Sequence, residues 1–251
     1  MEEAVLYDVD NGVASLVFNT PDNLNAMSRR LGQGFSAGVR RALDDPGVRV
    51  LTLTGNGRAF CAGADLSDAD THSANDLAGF LAARGDAMSL IQSGPKPLVV
   101  GTHGWAVGAG VEILLASDIA IAAEDARFFS PQVSLGIVPG AGGMARMART
   151  VGPAWARRLT LLGERINAQT AYAIGLVTEI VKADELRTRV RAIADILAAA
   201  PVASIILARE SLAAANEMPL SAALRDDQYR LYMLSGTPEK EAGHAAFRER
   251  K

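Results

Sequence analysis

The stretch HGWAVGAGVEILLASD, residues 103–118, carries one acidic side chain, Glu112, ahead of its terminal Asp118. A carboxylate folded into such an apolar, glycine-studded run costs several kcal/mol to desolvate, on the order of what only a partner or a task can offset. A structural ion pair is one reading. The other is a proton-transfer group, because apolar surroundings raise a carboxyl pKa toward the range where it can take up and return a proton. Two small-residue turns could serve the same chemistry: Phe60-Cys61-Ala62-Gly63-Ala64-Asp65 and Val107-Gly108-Ala109-Gly110. Each is open enough for its backbone to touch a ligand. One N–H from each turn, converging on one oxygen, would make an oxyanion hole, where each donor is worth roughly 3–4 kcal/mol in a transition state. Small residues at these places equally let helices pack closely on strands.

Other chemistries find less support. Gly108-Ala109-Gly110 supplies two glycines of a dinucleotide fingerprint, but the third position is Ile113. PGAGGMARMART lacks the Gly-Lys-Ser/Thr of a phosphate loop, so its glycines read as a tight turn into a helix whose N-terminus can face a ligand. His72, His103 and His244 stand apart, without ligand spacing for a metal, and no G-x-S-x-G elbow occurs. Asp65, Asp68, Asp70 and His72 follow the first turn and read as solvated loop charges.

The elements that must hold these groups are legible. Ala4–Val9 and Val13–Phe18 read as a hairpin about Asn11-Gly12. A helix capped by Ser28 runs to Leu43, and Val48–Thr54 is a buried strand feeding GNGRAFCAGADL. A helix over Asp76–Ser93, a strand over Pro97–Thr102, a helix about Val111 and a strand over Ile119–Ala122 follow. Strand, small-residue turn and helix in repetition mean a parallel α/β arrangement. Beyond Ala141 the stretches 141–163, 168–173, 184–199, 202–216 and 221–233 are helical in spacing, with one further strand at Leu176–Ile180. Pro201 is the best boundary, giving a core domain of residues 1–200 and a helical region of 201–251.

Composition sets the class. The 251 residues are 49% hydrophobic and 21% charged, those of an ordinary globular protein. A formal net charge of -3 offers no basic footprint for nucleic acid or an anionic membrane. The lone Cys61 fits a reducing compartment, and neither a signal peptide nor a spanning helix is visible, so a cytoplasmic location is expected.

Taken together, GRAFCAGADL (57–66), GWAVGAGVEI (104–113), ARFFSPQVSLGIVPGAGG (126–143) and GERINAQTAYAIGLVTEIV (163–181) resemble the enoyl-CoA hydratase/isomerase, or crotonase, superfamily. The likeness extends in order from PDNLNAMS (21–28) to AAFRERK (245–251). It implies an α/β fold of the ClpP/crotonase class, a spiral of strand-strand-helix units with a helical C-terminal region that packs subunits into trimers or dimers of trimers. It also implies an acyl-CoA thioester substrate, with coenzyme A entering as part of the substrate and no separate cofactor or metal. By the same resemblance the thioester oxygen is held by the N–H groups of Ala64 and Ala109, where relatives usually have glycine at the second. Ala62, Asp65 and Leu66 line the coenzyme A path, Leu24 lies near its adenine end and Gly140 near the acyl group. Phe247 and Arg250 reach the coenzyme A of a neighbouring subunit.

Hydratases of this superfamily use two glutamates. Glu112 matches the first, but the second position holds Gln132, in Ser130-Pro131-Gln132-Val133. Glutamine can orient a water or a carbonyl yet exchanges no proton at neutral pH. Since acid–base participation contributes about 10²–10⁴ in rate, or roughly 3–5 kcal/mol, the departure matters. Three readings follow: a lyase or isomerase with Glu112 as main acid/base, a weak or inactive acyl-CoA binder, and a specialised enzyme for an unusual thioester. Isomerising relatives usually place their base at the second position, which weighs against isomerisation here.

Overall fold

The computed structural model describes residues 3–69 and 74–249. Ten strands run through it: β1 (Val5–Asp10), β2 (Val13–Phe18), β3 (Val50–Gly55), β4 (Ala59–Cys61), β5 (Leu98–Thr102), β6 (Trp105–Val107), β7 (Ile119–Ala123), β8 (Arg127–Phe129), β9 (Ile166–Asn167) and β10 (Glu179–Val181). The helices are α1 (Arg29–Asp44), α2 (Leu66–Ala69), α3 (Ala74–Ser93), α4 (Ala109–Ala116), α5 (Gly143–Thr150), α6 (Gly152–Leu162), α7 (Ala168–Ala173), α8 (Leu186–Ala199), α9 (Val202–Ala215), α10 (Leu220–Met233) and α11 (Pro238–Glu249).

Two sheets share the work. The larger orders β1-β2-β3-β5-β7-β10 and the smaller β4-β6-β8-β9. Only the β1/β2 and β8/β9 pairs are antiparallel. In each central unit the first strand enters the large sheet and the second turns off into the small one: β3 then β4, β5 then β6, β7 then β8. The corner after β5 is Gly104, at φ 52°, where a Cβ would stand 2.1 Å from the Arg58 carbonyl oxygen. The small sheet therefore stacks successive corners above one another and gathers the small-residue turns on one side of the molecule.

Local sequence explains the elements. Asn11 and Gly12 take φ 50° and 79° in the tight turn between β1 and β2, as an Asn-Gly pair permits. Ser28 caps α1, accepting from the Leu31 N–H at 3.2 Å. Leu31, Phe35, Val39 and Ala42, one helical face, are all fully buried. Phe35 meets Phe18 of β2 edge-to-face at 5.4 Å. Every residue of β3 is buried, as befits a central parallel strand covered on both faces. One face packs into the main core with α1 and α4. The other, with Val13, Val50, Val99 and Ile121, is covered by Leu186, Val190, Ala194 and Ala198 of α8.

The α/β arrangement is as expected, with differences that have physical causes. Strands β4, β6, β8 and β9 are two or three residues long, too short for a periodic signal. The helical stretch 141–163 is two helices, because Gly152 adopts φ 76° between α5 and α6. The strand anticipated over Leu176–Ile180 is β10, Glu179–Val181. Leu176 and Val177 instead turn into the core after Gly175, at φ 79°. Asp118 is explained by structure as well. Its Oδ2 accepts from the Leu98 N–H at 2.8 Å and its Oδ1 from Arg209 Nε at 2.7 Å, so α9 is tied back to the sheet. No single helix among the described residues is long and apolar enough to cross a membrane.

Candidate active site

All eight residues of α4 are buried, Glu112 included at 4% exposure. A helix apolar all round belongs at the centre of a molecule, and here it projects one carboxylate from its first turn. Glu112 Oε1 accepts a hydrogen bond from the Ala141 N–H at 3.1 Å. That amide belongs to the glycine-rich segment before α5, which wraps over the carboxylate. A Cβ on Gly143 would stand 2.7 Å from Glu112 Oε1 and 2.8 Å from Pro139 Cβ. Gly143 is therefore the space that Glu112 occupies.

The two small-residue turns abut. A Cβ on Gly63, at φ 96°, would touch the Val107 carbonyl oxygen at 3.3 Å, and one on Gly110 would lie 2.8 Å from the Cys61 carbonyl oxygen. The first turn is held by a parallel bridge to the segment before α1, in which the Met27 N–H donates to Gly63 O at 2.6 Å and the Asp65 N–H to Met27 O at 3.2 Å. This pairing steps over Ala64, whose own N–H points away from Met27. In the second turn the Gly108 N–H donates to Phe129 O at 2.8 Å, and the Glu112 N–H to Gly108 O at 3.0 Å. Ala109 is the first residue of α4, so its N–H has no carbonyl four residues back within the helix. The unusual angles fall on Gly108 (φ 47°, ψ -101°). Ala109 itself takes helical angles, and a methyl there costs nothing. Both amides stand at one junction, beside the helix that carries Glu112.

Gln132 comes to the same junction. It opens the short 3-10 turn Gln132–Leu135, is buried, and would place its Nε2 3.3 Å from a Cβ on Gly108. Its Oε1 is buried with no hydrogen-bond partner among the described residues, an arrangement that ordinarily signals a water, an ion or a ligand group.

The remaining expected positions divide. Leu24, Ala62 and Asp65 are brought together: the Ala62 N–H donates to Leu24 O at 3.0 Å, and Asp65 Oδ2 accepts from Asn23 Nδ2 at 2.8 Å. Leu66 follows, exposed, at the start of α2. Gly140 is exposed, one residue before the amide that holds Glu112. Phe247 stands 67% exposed on α11, and Arg250 lies outside the described residues, as do Asp70 and His72. His103 Nε2 lies 3.0 Å from the Gly57 carbonyl oxygen, a structural partner, and His244 sits on α11.

Sequence reasoning missed three groups that shape the site. Asn25, fully buried at φ 52°, accepts from the Thr20 N–H at 2.8 Å and donates to Ala59 O at 2.8 Å and Asn56 O at 2.9 Å. It pins the Leu24 segment to the strand pair β3/β4. An asparagine within a loop tolerates left-handed angles, the one signal available beforehand. Ala141 acts through its backbone alone and leaves no trace in residue type. Arg146 is half-buried on α5, donating to Ala141 O at 2.6 Å and to Gln92 Oε1 at 2.8 Å. Burial draws its guanidinium pKa down, while the charge of Glu112 pushes it up.

Residues 8–251 match the model of the enoyl-CoA hydratase/isomerase family. Among curated relatives, the 2,3-dehydroadipyl-CoA hydratase of Escherichia coli K12 is 33% identical over 240 residues, covering 95% of this chain and 93% of its own. The crotonyl-CoA hydratase of Syntrophomonas wolfei is 34% identical over 254 residues, covering 99% and 96%. Among solved structures, an enoyl-CoA hydratase from Bacillus anthracis superposes with a TM-score of 0.93 at 28% identity, covering 99% and 97%. The spiral α/β fold that the resemblance implied is the fold observed.

Proposed function

Since the chain belongs to the enoyl-CoA hydratase/isomerase family, we propose that it adds water across the α,β double bond of a 2-enoyl-CoA thioester, with Glu112 as its single acid/base. One observation carries this reading: the buried Gln132 amide lies against Gly108, immediately before the helix that carries the buried Glu112, and its Oε1 has no hydrogen-bond partner among the described residues. The relatives named above act as hydratases, which favours hydration over isomerisation.

The chemistry follows from the groups. The Ala64 and Ala109 N–H groups bind the thioester oxygen and stabilise the negative charge that gathers there as the enolate forms, at roughly 3–4 kcal/mol per donor. A water rests between the side chains, donating one O–H to Gln132 Oε1 and the other to the Glu112 carboxylate. Its oxygen attacks the β carbon while Glu112 takes the proton. The new C–O bond pushes the π electrons onto the thioester oxygen. Glu112 then returns that proton to the α carbon as the enolate collapses, so oxygen and hydrogen add to the same face. Atoms and charge balance without a second acid, and Gln132 need only accept a hydrogen bond. Coenzyme A enters with the substrate along Leu24, Ala62, Asp65 and Leu66, and the reading requires no further cofactor. Residues 201–251 join the subunits: Leu212, Leu220, Leu224, Tyr229 and Met233 on α9 and α10 are large apolar side chains left exposed in one chain.

The test is turnover of crotonyl-CoA and a 3-enoyl-CoA in parallel by the protein and its Glu112→Gln variant. The variant should lose at least about 10²-fold in kcat while still binding acyl-CoA. Undiminished hydration by it would refute the assignment, and conversion of the 3-enoyl thioester alone would replace hydration by isomerisation.

A further inference from the structure

The segment Ala141-Gly142-Gly143 is a thin wall with a charged side chain against each side. Glu112 fills the space that a side chain on Gly143 would need, its Oε1 2.7 Å from that Cβ position. Arg146 fills the space beside Gly142, one guanidinium nitrogen 2.4 Å from the corresponding Cβ position. The two charges also grip the two ends of one residue: the Ala141 N–H donates to Glu112 Oε1 at 3.1 Å, and the Ala141 carbonyl accepts from Arg146 at 2.6 Å. A second anchor leaves the loop altogether, from Arg146 Nε to Gln92 Oε1 at 2.8 Å, near the end of α3.

We propose that Arg146 is a positioning residue for the proton-transfer step: by clamping Ala141 between α3 and α4 it sets where the Glu112 carboxylate stands. The inference rests on the reading of Glu112 as the acid/base. The two planar peptide units flanking Ala141 are joined at its Cα and move relative to each other only through its φ and ψ, so a guanidinium fixed on the carbonyl removes part of the freedom by which the amide could leave the carboxylate. Two hydrogen bonds to a charged fork hold direction as well as distance, which a lysine reproduces only in part. A carboxylate displaced by about 1 Å can lose on the order of 10²-fold in rate while substrate binding is unaffected. The thioester amides of Ala64 and Ala109 lie on other segments. Arg146 also borders a hollow of about 320 Å³ lined by Gly142, Arg149 and Asn216, so its truncation opens onto space that water can fill rather than a dry core.

The experiment compares Arg146→Met, Arg146→Lys, Gln92→Ala and Glu112→Gln. It follows crotonyl-CoA hydration together with exchange of the α protons of butyryl-CoA in heavy water, and melting curves of each variant. Arg146→Met should lower kcat and the exchange rate in parallel by about 10- to 100-fold, with KM within threefold. Arg146→Lys should recover part of both rates, and Gln92→Ala, an exposed anchor, should lower both severalfold without a change in melting temperature. Wild-type rates in Arg146→Met, or a raised KM at unchanged kcat, would overturn the proposal. If Arg146→Met melts early, Gln92→Ala decides alone, and its wild-type rates would overturn it equally. Exchange that persists in Glu112→Gln, or is absent from the wild type, would instead remove the acid/base reading on which the proposal stands.

Discussion

Gly143→Ala tests the placement of Glu112 with a single methyl group. The added Cβ would stand 2.7 Å from Glu112 Oε1, 2.8 Å from its Cγ and 2.8 Å from Pro139 Cβ. Non-bonded carbon contacts settle near 3.5–4.0 Å, so the carboxylate and the loop must part by roughly half an ångström or more. The Ala141 N–H bond to Oε1, now 3.1 Å, then lengthens to about 3.6 Å, beyond a working hydrogen bond. Backbone strain does not confuse the result, because Gly143 opens α5 at ordinary angles, where alanine gains up to about 1 kcal/mol of helix propensity. Stability should therefore change little while kcat falls about 10- to 100-fold, or roughly 1.4–2.7 kcal/mol of barrier. KM should hold within threefold, since neither thioester amide moves. Loss of the enoyl-thioester absorbance of crotonyl-CoA, followed beside a melting curve, reads both quantities. A kcat within twofold of wild type would refute the claim that this position of the carboxylate matters.

Gln132→Glu restores a second carboxyl beside Gly108 and should raise hydration severalfold or more, by the same absorbance assay; no gain would mean that geometry rather than the missing acid limits the rate. Asn25→Ala removes four hydrogen bonds from a buried residue at φ 52° and should cost about 3 kcal/mol in urea unfolding, whereas an unshifted midpoint would deny Asn25 its anchoring role. Light scattering at micromolar concentration should return a trimer or a multiple of it, and a strict monomer would contradict the role given to α9 and α10.

How far the sequence could be read depended on how each feature is encoded. The hairpin at Asn11-Gly12, α1 with its Ser28 cap and the buried run of β3 were legible because local angle preference and hydrophobic period determine them. The second sheet was not, because β4, β6 and β8 are three residues each and owe their pairing to corners such as Gly104, whose need for glycine comes from the distant Arg58 carbonyl. Glu112 was conspicuous as a charge in an apolar run. Arg146 was not, because an arginine on an amphipathic helix reads as solvated until the Ala141 carbonyl and Gln92 are seen to take it. Ala141 shows a stricter limit: a backbone amide can act from any residue type, so only the fold reveals it.

In the proposed mechanism positions 112 and 132 do not carry equal weight. Enolate stabilisation there falls to the main-chain amides of Ala64 and Ala109, which replacements other than proline leave in place. The alanine at 109 is harmless because Gly108 takes the unusual angles in its place. What Gln132 lacks beside a glutamate is a proton to give, and what it retains is an acceptor, buried and without a partner among the described residues, which the proposed mechanism uses to orient a water. A group that both deprotonates water and protonates carbon must be reached by both in turn, which puts the demand for placement on Glu112 alone. The clasp of Ala141, Gly142, Gly143 and Arg146 around that carboxylate answers this demand. For that reason Gly143→Ala should impair the reaction more than any change at Gln132 that keeps an acceptor there.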